Sequence, residues 1–313
     1  MTDTALDESD TALDESENAL DADDALDGAV VLLTGGTSGI GRVAARRLAE
    51  RGATVAVVGR SRDRGEQLAD ETATDDPGEI RFHRVDLSTQ SAVRRLAEEI
   101  RETYDRLDVL AHNAGLAART RTETDDGIER TLAVNHLAPY LLTHELLGLL
   151  QESRPSRIVV TASGIHRRAT LDFDDLQFER GYDSMDAYAR SKLANVAFTV
   201  ELADRLAEQP ADVTANCFHP GFVPSTNLFR DTPLWMRLGL RALAVVPGVA
   251  TSTEEGARRL VRLATDPEFA ERSGAYVGAG GVKAPKAEAT DPEVCARLWN
   301  ESAELVGVDP DWP

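Results

Sequence analysis

From residue 29 onward, short aliphatic and β-branched runs alternate with stretches whose apolar residues recur at helical spacing. Ala29–Thr34, Thr54–Val58, Ile80–Val85, Leu107–Ala111, Arg157–Ala162 and Val213–Phe218 have the length and apolar continuity of strands buried on both faces. Between them, Ile40–Arg51, Ala92–Thr103, Ile128–Leu150 and Met185–Ala207 read as amphipathic helices. Strand and helix in alternation predict an α/β domain over 29–313, a doubly wound parallel sheet with right-handed crossovers and helices on both faces. Such sheets bind ligands beyond the carboxyl ends of their strands, so the chemistry is sought in the segments that follow each strand.

Residues 1–28 break this pattern. Three near-repeats of seven residues begin at Thr4, Thr11 and Asn18, and the segment holds 11 acids and no base. Ala and Leu are adjacent in each repeat, leaving one narrow apolar stripe where a coiled coil needs two seams, so a disordered or transiently helical acidic tail is expected. The net charge of −20 falls to −9 over residues 29–313, where 43 acids face 34 bases. That balance argues against nucleic-acid and anionic-membrane partners, which need a basic surface. Of the 34 basic residues, 31 are arginine; Lys192, Lys283 and Lys286 are the three lysines. A Lys-poor, acid-rich surface suits a high-salt cytoplasm, and a GC-rich genome is the competing explanation. Cys217 and Cys295 cannot build a disulfide framework, no Cys/His cluster has metal-ligand spacing, and no signal peptide is visible. The most apolar later stretch, Leu234–Val249, carries Arg237 and Arg241 and is shorter than the roughly 20 residues a spanning helix needs. A soluble cytoplasmic protein without a metal site is expected.

The first strand is followed by Thr34-Gly35-Gly36-Thr37-Ser38-Gly39-Ile40-Gly41, which opens a helix. Glycines 35, 39 and 41 permit a tight turn and close approach of a diphosphate to the helix N-terminus. Strand, glycine turn and helix together mark a dinucleotide site. At the end of the second strand, Gly59 stands where an acid would accept from an adenosine 2′-hydroxyl, and Arg60 follows. An arginine there favours a 2′-phosphate, so NADP(H) is the expected cofactor.

The strongest chemical signal is Tyr188-Ala189-Arg190-Ser191-Lys192, preceded by Ser163 at the end of the fifth strand. Tyrosine and lysine four apart share a helix face, and a neighbouring ammonium favours the phenolate, making tyrosine a workable acid–base group. A lysine here, in a chain that otherwise uses arginine, points to chemistry that arginine cannot supply. Ser163 lacks the Gly-x-Ser-x-Gly elbow of a hydrolase, and nearby His166 reads as a loop residue.

The Thr-Gly-x3-Gly-x-Gly loop, Ser163 and Tyr188-x3-Lys192 resemble the compact single-domain branch of the short-chain dehydrogenase/reductase family. The resemblance implies a single Rossmann-type domain of about seven strands, with Tyr188 exchanging the proton, Ser163 binding the substrate oxygen and Lys192 holding the nicotinamide ribose. It assigns Asn135 to a water in the proton relay. Cofactor contacts are implied at Gly35, Thr37, Ser38, Gly39, Ile40 and Gly41, at Asp86 and Leu87 beside the adenine, and at Asn113-Ala114-Gly115. Further contacts are implied at Pro220, Gly221 and Val223, and at Ser225 facing the carboxamide, with Thr226 an alternative hydroxyl. The 24 residues between Ser163 and Tyr188, about twice the family's usual interval, together with Val134-Asn135-His136-Leu137-Ala138 and His219-Pro220-Gly221, resemble the retinol dehydrogenase and protochlorophyllide reductase-like subgroup. The glycine loop departs from the subgroup in reading Gly36-Thr37. In the family, residues 223–250 form a lid, and their apolar character here suits a hydrophobic carbonyl or alcohol substrate or, equally, packing on its own core or on a second subunit in a homo-oligomer. Carbonyl–alcohol interconversion is the leading expectation. A carbon–carbon double-bond reductase and a non-catalytic NADP-sensing regulator are the alternatives, the latter disfavoured because Tyr188 and Lys192 are both retained.

Overall fold

The computed structural model describes residues 26–72, 77–209, 212–224 and 250–313. Residues 1–25 of the expected tail, Ser225 and Thr226, and 225–249 of the expected lid lie outside the described residues.

Among the described residues eight strands form one sheet: β1 Val30–Thr34, β2 Thr54–Gly59, β3 Glu79–Arg84, β4 Val109–His112, β5 Ser156–Thr161, β6 Val213–Phe218, β7 Tyr276–Gly278 and β8 Gly281–Lys283, in the order β3-β2-β1-β4-β5-β6-β7-β8. All six strands read from the sequence are present. The expected count of about seven becomes eight because a short antiparallel hairpin, β7–β8, closes the far edge. All other pairings are parallel.

Strand alternation divides the apolar residues between two cores. Leu32, Leu110 and Val160 face one side, with helices α3 Gln90–Thr103, α4 Ala138–Glu152, α5 Ser184–Ala207 and α7 Pro292–Val306. Leu33, Ala111 and Val159 face the other, with α1 Gly39–Ala49, α2 Arg62–Thr72 and α6 Thr253–Thr265. β1 pairs with β2 on one side and β4 on the other, so the chain reverses its direction of winding between β1 and β4. The crevice at that switch point is where a doubly wound sheet receives its ligand.

The helix expected over 128–150 is interrupted. A short α segment, Arg130–Leu132, widens into a π turn at Ala133–Leu137 before α4 begins. The cause is visible in the sequence: Pro139 has no N–H to offer the Asn135 carbonyl four residues back. The ladder shifts register, and the Ala138 N–H reaches Ala133 O, five residues back.

Candidate active site

The loops after β1 and β4 are stitched together at the switch point. Thr34 Oγ1 accepts from the Asn113 and Ala114 N–H groups at 3.0 and 3.1 Å, while Asn113 Nδ2 donates to Thr34 O at 3.2 Å and Gly35 O at 3.4 Å. Gly35 and Gly39 take φ of +70° and +55°, which only glycine adopts without strain. A Cβ at Gly41 would stand 2.6 Å from Asn113 Nδ2 and closer still to the Gly35 carbonyl, so α1 and the β4 loop meet only because that position is bare. Ser38, the N-cap of α1, makes no side-chain cap bond, so the first N–H groups of the helix are left to other acceptors. That chemistry fits a diphosphate.

These loops form one wall of a cleft of about 740 Å³. Gly35, Thr37, Ser38, Gly39, Ile40, Arg60, Asp86, Leu87, Asn113, Ala114 and Gly115 line it, followed by Ser163, Tyr188, Lys192, Pro220, Gly221 and Val223. Gly41 and Asn135 lie beneath the surface as supports. Asn135 Oδ1 accepts from Leu116 N at 2.8 Å, and its Nδ2 donates to Leu116 O and Ser191 Oγ, each at 2.9 Å. Gly115 lies between Asn135 and Lys192: a Cβ there would be 3.5 Å from both Asn135 Oδ1 and Lys192 Nζ.

Next to the β4 loop, the Asp183 carboxylate accepts from Met185 N and Asp186 N and starts α5, which brings further residues into the cleft. Tyr188 and Lys192 follow one helical turn apart. Lys192, 2% exposed, donates from Nζ to Thr161 O at 2.8 Å, and Nζ is 5.7 Å from the centre of the Tyr188 ring. Ser163 lies two residues beyond Thr161. Burial pushes Lys192 down to about 8. It pushes Tyr188 up to about 12, with hydrogen bonding to Ser163 working the other way. The expected depression of the tyrosine by its lysine is therefore not met: both groups are deeply desolvated, and desolvation of the phenolate dominates.

The cleft also includes residues that sequence reading did not assign to it, among them Arg64, Arg130, Met185, His219 and Phe222. Arg64 lies in the first turn of α2, four residues after Arg60 just beyond the end of β2. His166, expected as a loop residue, sits in a 3-10 turn, Gly164–Arg168, after β5, and is 0% exposed there behind Ser163. The long segment before Tyr188 folds along the cleft, with Tyr182 Oη donating to Ala118 O at 3.0 Å and lying 3.1 Å from Thr131 Oγ1. Arg190 holds it from α5, donating to Thr170 O and Asp175 O and lying 3.7 Å from the centre of the Phe178 ring.

Residues 29–237 match the short chain dehydrogenase family. The chain is 37% identical over 297 residues to human retinol dehydrogenase 14, covering 90% of this chain and 88% of the relative. It is 39% identical over 295 residues to human retinol dehydrogenase 13, covering 91% and 86%. Among solved structures, an uncharacterized protein of Mycobacterium paratuberculosis superposes with a TM-score of 0.74 at 30% identity, over 92% of this chain and 97% of the other. A blue fluorescent protein from a metagenomic library, solved in complex with NADPH, superposes with a TM-score of 0.65 at 26% identity, over 82% and 98%.

Proposed function

The chain belongs to the short-chain dehydrogenase family, and from that premise we propose that it is an NADP(H)-dependent oxidoreductase interconverting a carbonyl and an alcohol on a hydrophobic substrate. The observation that carries the reading is the convergence of Ser163, Tyr188 and Lys192 in the same cleft that the glycine cradle lines. NADPH, when bound, supplies the hydride. Tyr188 then gives its proton to the carbonyl oxygen, and Ser163 donates a hydrogen bond to that oxygen as charge develops on it. Lys192 orders the nicotinamide ribose and keeps positive charge beside the phenol. Asn135 joins Leu116 to Ser191, the chain neighbour of Lys192, and so ties the loop after β4 to the helix that carries the tyrosine and lysine.

Arg60 and Arg64 line the cleft beyond the ends of β2 and the start of α2, the position that suits a 2′-phosphate. The cleft lining also includes Leu116, Ala117, Ala118, Ile165, Met185 and Phe222, an apolar group beside Arg130 and His219, and it supports an apolar carbonyl compound as substrate. Among the described residues no helix is long and apolar enough to cross a membrane. We place the protein in a cytosol of high salt on the arginine bias of its surface; its melting temperature should rise between 0.1 and 2 M KCl.

NADPH consumption against aldehydes, ketones and quinones in molar KCl tests the reading. Tyr188→Phe should lose about 10³-fold in kcat while still binding NADPH. Equal activity in wild type and variant refutes the proton role, and NADPH binding without turnover on any substrate favours a regulator. Product analysis separates an alcohol from a saturated carbonyl and so tests the double-bond alternative.

A further inference from the structure

Behind Ser163 lies a buried contact that the proposed chemistry does not yet use. The Ser163 carbonyl accepts twice from His166: from its backbone N–H at 3.1 Å and from its ring Nδ1 at 2.7 Å. The other ring nitrogen, Nε2, faces the backbone N–H of Lys286 at 3.2 Å. A backbone N–H only donates, so Nε2 must be the bare acceptor and Nδ1 must carry the hydrogen. The tautomer is fixed by partners on both sides.

Those partners come from distant parts of the chain. The segment after β8 is tied to the turn holding His166: Arg167 bonds Ala284 O, Lys286 Nζ bonds Ala169 O and Glu288, and Glu288 accepts from Leu171 N at 2.7 Å. The His166 ring packs edge-on against Tyr276 with centroids 4.9 Å apart. Tyr276 also stacks on His219 at 5.6 Å, and His219 Nδ1 accepts from Gly221 N at 3.2 Å. One ring from β7 thus braces both the turn that carries Ser163 and the neighbouring Pro220-Gly221 turn after β6.

We propose that His166, locked as the Nδ1–H tautomer by the C-terminal segment, is the positioning residue that sets Ser163 toward the substrate oxygen. The inference rests on the reading of Ser163 as the hydroxyl that binds that oxygen. His166 touches neither substrate nor cofactor; it acts through the Ser163 backbone.

Two measurements on the full chain test it. In the ring-nitrogen NMR spectrum of ¹⁵N-histidine-labelled protein, with His166 identified by its loss in His166→Asn, the signal should show a protonated Nδ1 and a bare Nε2 at neutral pH; an Nε2–H or doubly protonated ring overturns the proposal. In NADPH-dependent reduction of decanal, His166→Leu should lower kcat about tenfold with the NADPH Kd unchanged, the effect of losing one buried hydrogen bond to a reacting group's support. His166→Asn keeps a donor near the Nδ1 position and should return kcat to within about threefold of wild type. The double variant Ser163→Ala/His166→Leu should be no slower than Ser163→Ala alone. A merely structural histidine would instead lower the melting temperature of both His166 variants, leave kcat per folded enzyme intact and add to Ser163→Ala; that pattern overturns the proposal. If the wild type reduces no carbonyl compound at all, the oxidoreductase reading fails and the positioning role fails with it, whereas the NMR result would still report the contact.

Discussion

Lys192 Nζ donates to the carbonyl oxygen of Thr161 at 2.8 Å, where β5 ends and two residues before Ser163. The lysine is thereby fixed to the same strand end that carries the serine, and its charge is almost wholly removed from water. Burial lowers it from 10.5 to about 8. Between those two values the unfolded chain holds a proton that the folded chain has released, so this group makes folding more favourable as pH rises through the window and penalises it fully below. Lys192→Met, which removes the buried charge, should melt no lower than wild type at pH 7, and the difference between the two should move in favour of wild type from pH 8 to 10.5. The variant should be inactive throughout. A melting difference independent of pH would show that the lysine is not desolvated as its geometry requires.

The parts of the molecule legible in the sequence were those where one physical demand acts on several adjacent residues. Buried parallel strands require continuous apolar runs, so β1 to β6 were visible, and the Gly35–Gly41 cradle was visible because a turn, a close approach and a helix start coincide there. The β7–β8 hairpin is not legible because strands of three residues carry too little periodicity, and the adjacent Gly280 and Gly281, at φ of +75° and +104°, are its one local signal. α2 is not legible for the opposite reason: its sequence is polar almost throughout, and it buries only Gly65, Leu68 and Thr72. The burial of His166 depends on Lys286 and Tyr276, more than 100 residues away, and no local pattern could announce it.

The glycine cradle gives a paired test. Gly41→Ala would drive a methyl group into the Gly35 backbone, which cannot yield without moving the end of β1, and into the Asn113 amide that stitches the two loops together. A loss of about 2 kcal/mol in stability is expected from overpacking of this kind, together with at least about tenfold weaker NADPH binding. Gly148, on exposed α4 surface, has nothing within 4 Å of a Cβ. Gly148→Ala should stabilise by about 0.5–1 kcal/mol through helix propensity alone. Denaturant melts and NADPH fluorescence titrations distinguish the two outcomes.

Cofactor choice is tested at Arg60 and Arg64. If these guanidinium groups hold a 2′-phosphate, Arg60→Ala and Arg64→Ala should each raise the NADPH Kd about tenfold, the effect of losing one charge-assisted hydrogen bond, and change NADH binding by less than about twofold. Gly59→Asp is the less clean variant. A Cβ at Gly59 would stand 2.6 Å from Thr37 Cγ2, so the new acid must displace a cleft residue as well as repel the phosphate. Both cofactors should bind it more weakly, and only the ratio of their Kd values, shifting toward NADH, reports selectivity. Equal losses for the two cofactors at Arg60 and Arg64 would refute the NADP(H) assignment.

The segment between Ser163 and Tyr188 is expected to shape the substrate end of the cleft through Tyr182. Its hydroxyl donates to Ala118 O at 3.0 Å and lies 3.2 Å from Glu129 Oε1, and Ala118 lines the cleft. Glu129, 1% exposed, keeps its own partners without the tyrosine, because its two oxygens accept from Thr131 N at 2.8 Å and Leu132 N at 2.7 Å. Tyr182→Phe therefore leaves no orphaned carboxylate and should cost only about 1–2 kcal/mol of stability. What it releases is the tie between the segment and the 116–118 wall. The KM for a long-chain aldehyde should rise severalfold while kcat and the NADPH Kd hold, since Lys192 and the glycine cradle are anchored elsewhere, to Thr161 and Asn113. A fall in kcat at constant KM would instead place Tyr182 in control of the reacting groups and detach the segment from substrate binding.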